Sequence, residues 1–78
     1  SLENRFDWGE VQLLFTARNG RIADAQLYTD AMDDSVLSKI PGLLLNSKFD
    51  PLEMSNRIAV LRGNETVDIA NWLKTIKV

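Results

Sequence analysis

Along the first third of the chain, apolar and polar side chains alternate. Val11, Leu13, Phe15 and Ala17 are interleaved with Glu10, Gln12, Leu14 and Thr16, directly after Phe6-Asp7-Trp8-Gly9. A period of two, carried by aromatic and β-branched residues, predicts a strand. Asn19-Gly20 is a strong hairpin turn signal, and Arg21–Thr29 predicts the returning strand. A two-residue loop would pair Arg18 with Arg21 and set Phe15 against Asp24 and Leu13 against Gln26. A three-residue loop, Arg18-Asn19-Gly20, sets Phe15 against Ala23, Leu13 against Ala25 and Val11 against Leu27. Burial of one face selects the second register, with a positive φ at Gly20.

The period changes after Asp30. Met32, Val36, Leu37 and Ile40 have helical spacing, with Asp33 as N-cap and Pro41-Gly42 as the stop. The short apolar run Leu43–Asn46, extending toward Phe49, is expected to form a third strand. Asp50-Pro51-Leu52-Glu53 is a close variant of the capping box, with Phe49 placed to staple onto Met54, and predicts a helix to Arg62 that ends at Gly63. A last helix, capped by Asn64, carries the stripe Ile69, Trp72, Leu73 and Ile76, with Lys74 and Lys77 at its C-terminal end. The predicted fold class is α+β: a small domain in the order β-β-α-β-α-α, an antiparallel hairpin plus a third strand with helices on one face.

Composition narrows the chemistry. The chain has 78 residues, 45% hydrophobic and 26% charged, which fits a single globular domain. No apolar run approaches the roughly 18 residues of a membrane-spanning helix, and the charged opening residues do not resemble a signal peptide. Neither Cys nor His occurs. Disulfides, thiol nucleophiles and thiolate-held clusters are therefore excluded, and the commonest general base is missing. A net charge of −2 argues against a dedicated nucleic-acid binder. A domain this small gains only about 3–5 kcal/mol from one core, so a partner domain is expected to share its stability.

The remaining candidates have plain structural readings. Asp30, Asp33 and Asp34 lack the spacing of a calcium loop, and Asp33 reads as a cap. Arg18 and Arg21 flank the hairpin tip, where solvated arginines are common, and Arg5 lies further off. There is no phosphate loop, and Ser35, Ser38, Ser47 and Ser55 lack a His partner and a nucleophile elbow. Lys48 reads as a solvated lysine and Trp72 as core. Trp8 either closes the core edge or is left for a partner.

Arg5-Phe6-Asp7-Trp8-Gly9 entering a strand, then Gly20-Arg21-Ile22, then Leu27-Tyr28-Thr29-Asp30 resembles the C-terminal accessory domain of lipoate–protein ligases. The resemblance runs from about residue 4 to residue 76, with Ile40–Leu45 matching only loosely. It implies a fold similar to iron–sulfur scaffold proteins, although the lack of Cys makes cluster chemistry untenable here. It further implies a parent enzyme that uses ATP, magnesium and lipoate to form lipoyl-AMP. That enzyme then transfers the lipoyl group to lysines on acceptor domains of 2-oxoacid dehydrogenases or the glycine cleavage system. The family's catalytic motifs lie in a larger N-terminal domain and do not occur in these residues. No catalytic, cofactor-binding or metal residue is therefore expected in 1–78, nor a nucleic-acid or membrane partner. The implied role is docking on the catalytic domain, and the cytoplasm is the expected compartment. Phe6 and Trp8, with Arg5 beside them, stand at the entry to the first strand, where an upstream domain would join, and are expected to make the interdomain contacts. A free-standing protein-interaction module of the same fold is the alternative reading.

Overall fold

In the computed structural model, which describes residues 1–76, three strands form one antiparallel sheet: β1 (Leu2–Phe6), β2 (Gly9–Arg18) and β3 (Arg21–Thr29), in the order β1-β2-β3. A single 3-10 turn at Leu37–Lys39 leads into a short helix α1 (Ile40–Leu44). Two longer helices follow, α2 (Pro51–Ile58) and α3 (Asn64–Lys74). All helices lie on one face of the sheet. Val11, Leu13 and Ile22 of the strands bury against Leu37, Ile40, Leu44, Met54, Ile58, Ile69 and Leu73.

The hairpin resolves the conflict between turn and face differently from the expectation. Arg18 pairs with Arg21 across a two-residue loop in which Asn19 and Gly20 have φ of 55° and 76°. Positive φ at both loop residues matches the right-handed twist of the strands. The register then shifts between Thr16 and Ala17, where Ala23 stands as the extra residue of a bulge. Phe15 faces Ala25, Leu13 faces Leu27 and Val11 faces Thr29. The apolar face of β2 is as predicted, but Ala23 is exposed and Ile22 takes its place in the core. The bulge reverses the parity of β3, so Ile22 and Ala25 point the same way although they are three residues apart.

The predicted third strand at Leu43–Asn46 does not form. Pro41 sits in the first turn of α1, where its missing N–H is harmless, and so opens a helix that it was expected to stop. Ile40 and Leu44, four apart, bury on one side of that turn. The chain beyond it pairs briefly with the start of β3 around an isolated bridge between Arg21 and Lys48: the Asn46 N–H donates to the Ile22 carbonyl at 2.8 Å, the Ile22 N–H to the Ser47 carbonyl at 2.8 Å and the Phe49 N–H to the Gly20 carbonyl at 3.0 Å. The third strand of the sheet is β1 instead, paired from Leu2 with Leu13 to Phe6 with Gly9.

The helix expected after Asp33 shrinks to turns. The Asp33 carboxylate accepts from the Ser35 backbone N–H at 3.0 Å, a local turn that competes with helix, and Met32 is fully exposed. Asp50 does cap α2, its carboxylate accepting from the Glu53 N–H at 3.1 Å. That helix stops at Ile58, short of Arg62. Gly63, with φ of 139°, is the N-cap of α3 in place of Asn64. Lys74 lies in the last turn of α3 as expected, and Lys77 falls outside the described residues.

Candidate interdomain docking site

The residues singled out for docking divide between the two faces of the sheet. Arg5 points to the outer face, where its guanidinium meets the Glu10 carboxylate at 2.9 Å with 76% of the side chain exposed. An exposed pair of this kind contributes about 0–1 kcal/mol and leaves the arginine available. Phe6 turns to the helical face. It stacks on Trp8 with centroids 4.8 Å apart and rings 3° from parallel, and it meets Trp72 edge-on at 5.9 Å. The Trp8 indole N–H donates to the Asp68 carboxylate at 2.8 Å, tying the β1–β2 turn to α3 across 60 positions of sequence. Phe6, Trp8 and Trp72 are all half-buried. Each is therefore packed against the core yet partly open to solvent, near the β1–β2 turn.

Gly9 follows Trp8 with φ of 151°, and a Cβ there would sit 2.7 Å from the Asp30 carboxylate oxygen. That same oxygen accepts from the Glu10 backbone N–H at 2.8 Å. The Thr29 hydroxyl oxygen accepts from the Ala31 N–H at 3.1 Å. The Phe6-Asp7-Trp8-Gly9 and Tyr28-Thr29-Asp30 segments thus meet at one end of the sheet. Asp30 fills the space a side chain at position 9 would need. Asp68 and Trp72 complete this node, and no local pattern marked Asp68 for the role.

The other candidates serve the fold. Arg21 donates to the Asn46 carbonyl at 2.9 Å. Ser55 donates to the Ala70 carbonyl at 2.8 Å and clasps α2 to α3. The single hydroxyl proton of buried Ser47 is shared between the Lys48 carbonyl at 2.8 Å and the Glu53 carboxylate at 3.1 Å. The Lys48 backbone N–H donates to Glu53 at 2.6 Å. That bond, with smaller help from Ser47, Arg57 and Lys48, outweighs partial desolvation and holds the Glu53 carboxyl below its ordinary value. Backbone and side-chain hydrogen bonds from Ser35 lower Asp33 in the same sense. Both carboxylates are thus weakened as bases. Among the described residues no three of His, Cys, Asp and Glu gather closely enough to hold a metal ion. The donor set does not fit magnesium, and the four glycines form no phosphate-cradling loop.

The layout is an α+β one, a three-stranded antiparallel sheet backed by helices, with an aromatic node at one end. The model of the family described as "Bacterial lipoate protein ligase C-terminus" matches residues 1–76, and this chain belongs to that family. It is 25% identical over 79 aligned residues to the lipoate-protein ligase A of Blochmanniella floridana, covering 95% of this chain and 23% of that protein. Among solved structures, P. falciparum LipL1 in complex with lipoate has the same fold over 92% of this chain, with a TM-score of 0.78 at 20% identity. The chain covers 23% of that structure's chain, so it spans about a quarter of the length of either relative.

Proposed function

We propose that this chain is the C-terminal accessory domain of a lipoate–protein ligase and has no catalytic residues of its own. It docks on the catalytic domain and supports ATP-dependent formation of lipoyl-AMP and transfer of the lipoyl group to acceptor-domain lysines. The observation that carries this reading is the family match across residues 1–76, in a chain that covers only 23% of its ligase relative. The nucleotide, magnesium and lipoate belong to the catalytic domain in this reading. The compartment is the cytoplasm, and acceptor proteins are engaged through the parent enzyme.

The contribution of the domain is positional. Lipoyl-AMP is a mixed anhydride prone to hydrolysis, and a lid that closes over it excludes water and orders neighbouring loops. Interfaces between domains of one chain are modest in area and permit reorientation between two steps of a reaction. Exposed Arg5 and the partly solvent-open Phe6 and Trp8 are the contacts we assign to docking. Arginine and aromatic residues dominate binding energy at such surfaces. The test is a titration of the chain into the isolated catalytic portion of the parent ligase, followed by tryptophan fluorescence. Arg5→Ala, which leaves the aromatic node intact, is expected to weaken binding by about tenfold. Unchanged affinity for a correctly folded Arg5→Ala would remove that residue from the interface, and no binding by the unsubstituted chain would refute docking.

A further inference from the structure

β1 is shorter than the strand it lies on. Its register runs from Phe6 with Gly9 to Leu2 with Leu13, whereas β2 continues to Arg18. Among the described residues, nothing pairs with Leu14–Arg18 on that side of β2, although β3 covers the other side down to Arg21. Hydrogen-bonded pairs in an antiparallel ladder recur at every second residue, and Phe6 with Gly9 closes a two-residue loop. The amides of Phe15 and Ala17 therefore face the open edge. An open edge beside an apolar surface is a template for another strand.

That apolar surface is present. Phe15 meets Phe49 edge-on at 5.9 Å, and Phe49 is 41% exposed. Phe49 also walls a groove completed by Leu2, Pro51, Met54, Leu73 and Ile76, with no polar side chain among its lining residues. Leu2 is one residue from the point where any upstream polypeptide enters. The family description places this chain at the C-terminus of ligases about four times its length, so the rest of such a ligase arrives through Ser1.

We propose that the polypeptide directly preceding Ser1 in the parent ligase continues β1 and pairs with Phe15–Arg18. The proposal rests on the reading of this chain as part of a longer ligase. The existing register fixes the geometry: Ser1 falls opposite Leu14, the residue before it opposite Phe15, and the one before that opposite Thr16. Side chains directly opposite share a face, so the residue immediately before Ser1 points to the helical side, next to Leu2 and over the Phe49 groove. It is apolar in this account, and its upstream neighbour, on the outer face, is polar. The link to the catalytic domain is then a strand held to the sheet, leaving the domain near the Asn19-Gly20 tip.

The experiment compares amide exchange by NMR in the 78-residue chain and in the same chain extended by the ten residues its gene encodes before Ser1. Extension is expected to slow exchange at Phe15 and Ala17 by about tenfold or more, as pairing removes those amides from water. In the extended chain, aspartate placed immediately before Ser1 is expected to abolish that protection. Aspartate one position further upstream is expected to leave it. Unchanged exchange on extension overturns the strand proposal and leaves the ligase reading standing. Loss of protection at both positions overturns the register. Protection that already appears in the unextended chain as concentration rises assigns the edge to a second copy and overturns the proposal. A reading frame with nothing before Ser1 removes the longer ligase, and this proposal with it.

Discussion

Gly9→Ala is the substitution that the structure constrains most tightly. Two separate costs meet at this position. The backbone sits at φ of 151°, a conformation that a residue with a Cβ holds only under strain of about 1–3 kcal/mol. The new Cβ would also lie 2.7 Å from the Asp30 carboxylate oxygen, so the side chain must move and give up its bond to the Glu10 N–H. An exposed hydrogen bond of this kind contributes about 1 kcal/mol. Together the loss is about 2–4 kcal/mol, most of the stability a domain of this size gains from its core. Asp30→Ala alone removes only the bond and is expected to cost about 1 kcal/mol. Because Gly9→Ala already displaces Asp30, the double variant is expected to be no less stable than Gly9→Ala alone, a coupling that a double-mutant cycle reads directly. Thermal unfolding followed by circular dichroism on all four proteins supplies the numbers. A Gly9→Ala midpoint equal to that of the unsubstituted chain, or costs that simply add, would refute the argument.

Two further predictions concern α2. Asp50→Ala removes the carboxylate that caps the Glu53 N–H and is expected to lower stability by about 1 kcal/mol in urea unfolding; an unchanged midpoint contradicts the cap. The Glu53 carboxyl is held below its ordinary value of 4.5 in the folded chain, so its contribution is complete above that pH and is lost as pH falls through the lower folded value. Glu53→Gln is expected to flatten the loss of stability on acidification below about pH 4.5. Parallel pH–stability curves for the two proteins would show that Glu53 is not held by the Lys48 N–H.

Much of the fold set by local chemistry was legible in the sequence, the Asp33–Ser35 turn being the local exception, and the parts set by distant partners were not. Alternation gave the buried face of β2 because Val11, Leu13 and Phe15 repeat without interruption. The Asp50-Pro51 start of α2 was legible because the cap and its target lie three residues apart. β1 leaves a weak trace in the sequence because Asn4 interrupts its apolar face between Leu2 and Phe6, and an edge strand needs few apolar residues. Pro41-Gly42 is ambiguous in sequence because the same dipeptide suits a helix end or a first turn, and only the packing of Ile40 and Leu44 decides between them. The bulge at Ala23 was hidden because turn chemistry and face parity each favoured a different loop, and the chain satisfies both by inserting a residue. At the docking site, the Arg5–Gly9 segment stood out by its composition. The separation of Trp72 as core from Trp8 as edge did not survive, since both pack around Phe6. The bond from Trp8 to Asp68 spans 60 positions and leaves no periodic trace.

The central claim, that this chain is an accessory domain working through a catalytic partner, is tested most directly by measuring lipoyl-AMP formation in three samples. These are the 78-residue chain alone, the catalytic portion of the parent ligase alone, and the two mixed. The account predicts no adenylate from the chain, impaired formation by the catalytic portion, and partial recovery on mixing, short of the intact enzyme because the effective concentration supplied by the covalent link is missing. Full activity of the catalytic portion without this domain, or pyrophosphate release by the chain on its own, would contradict it.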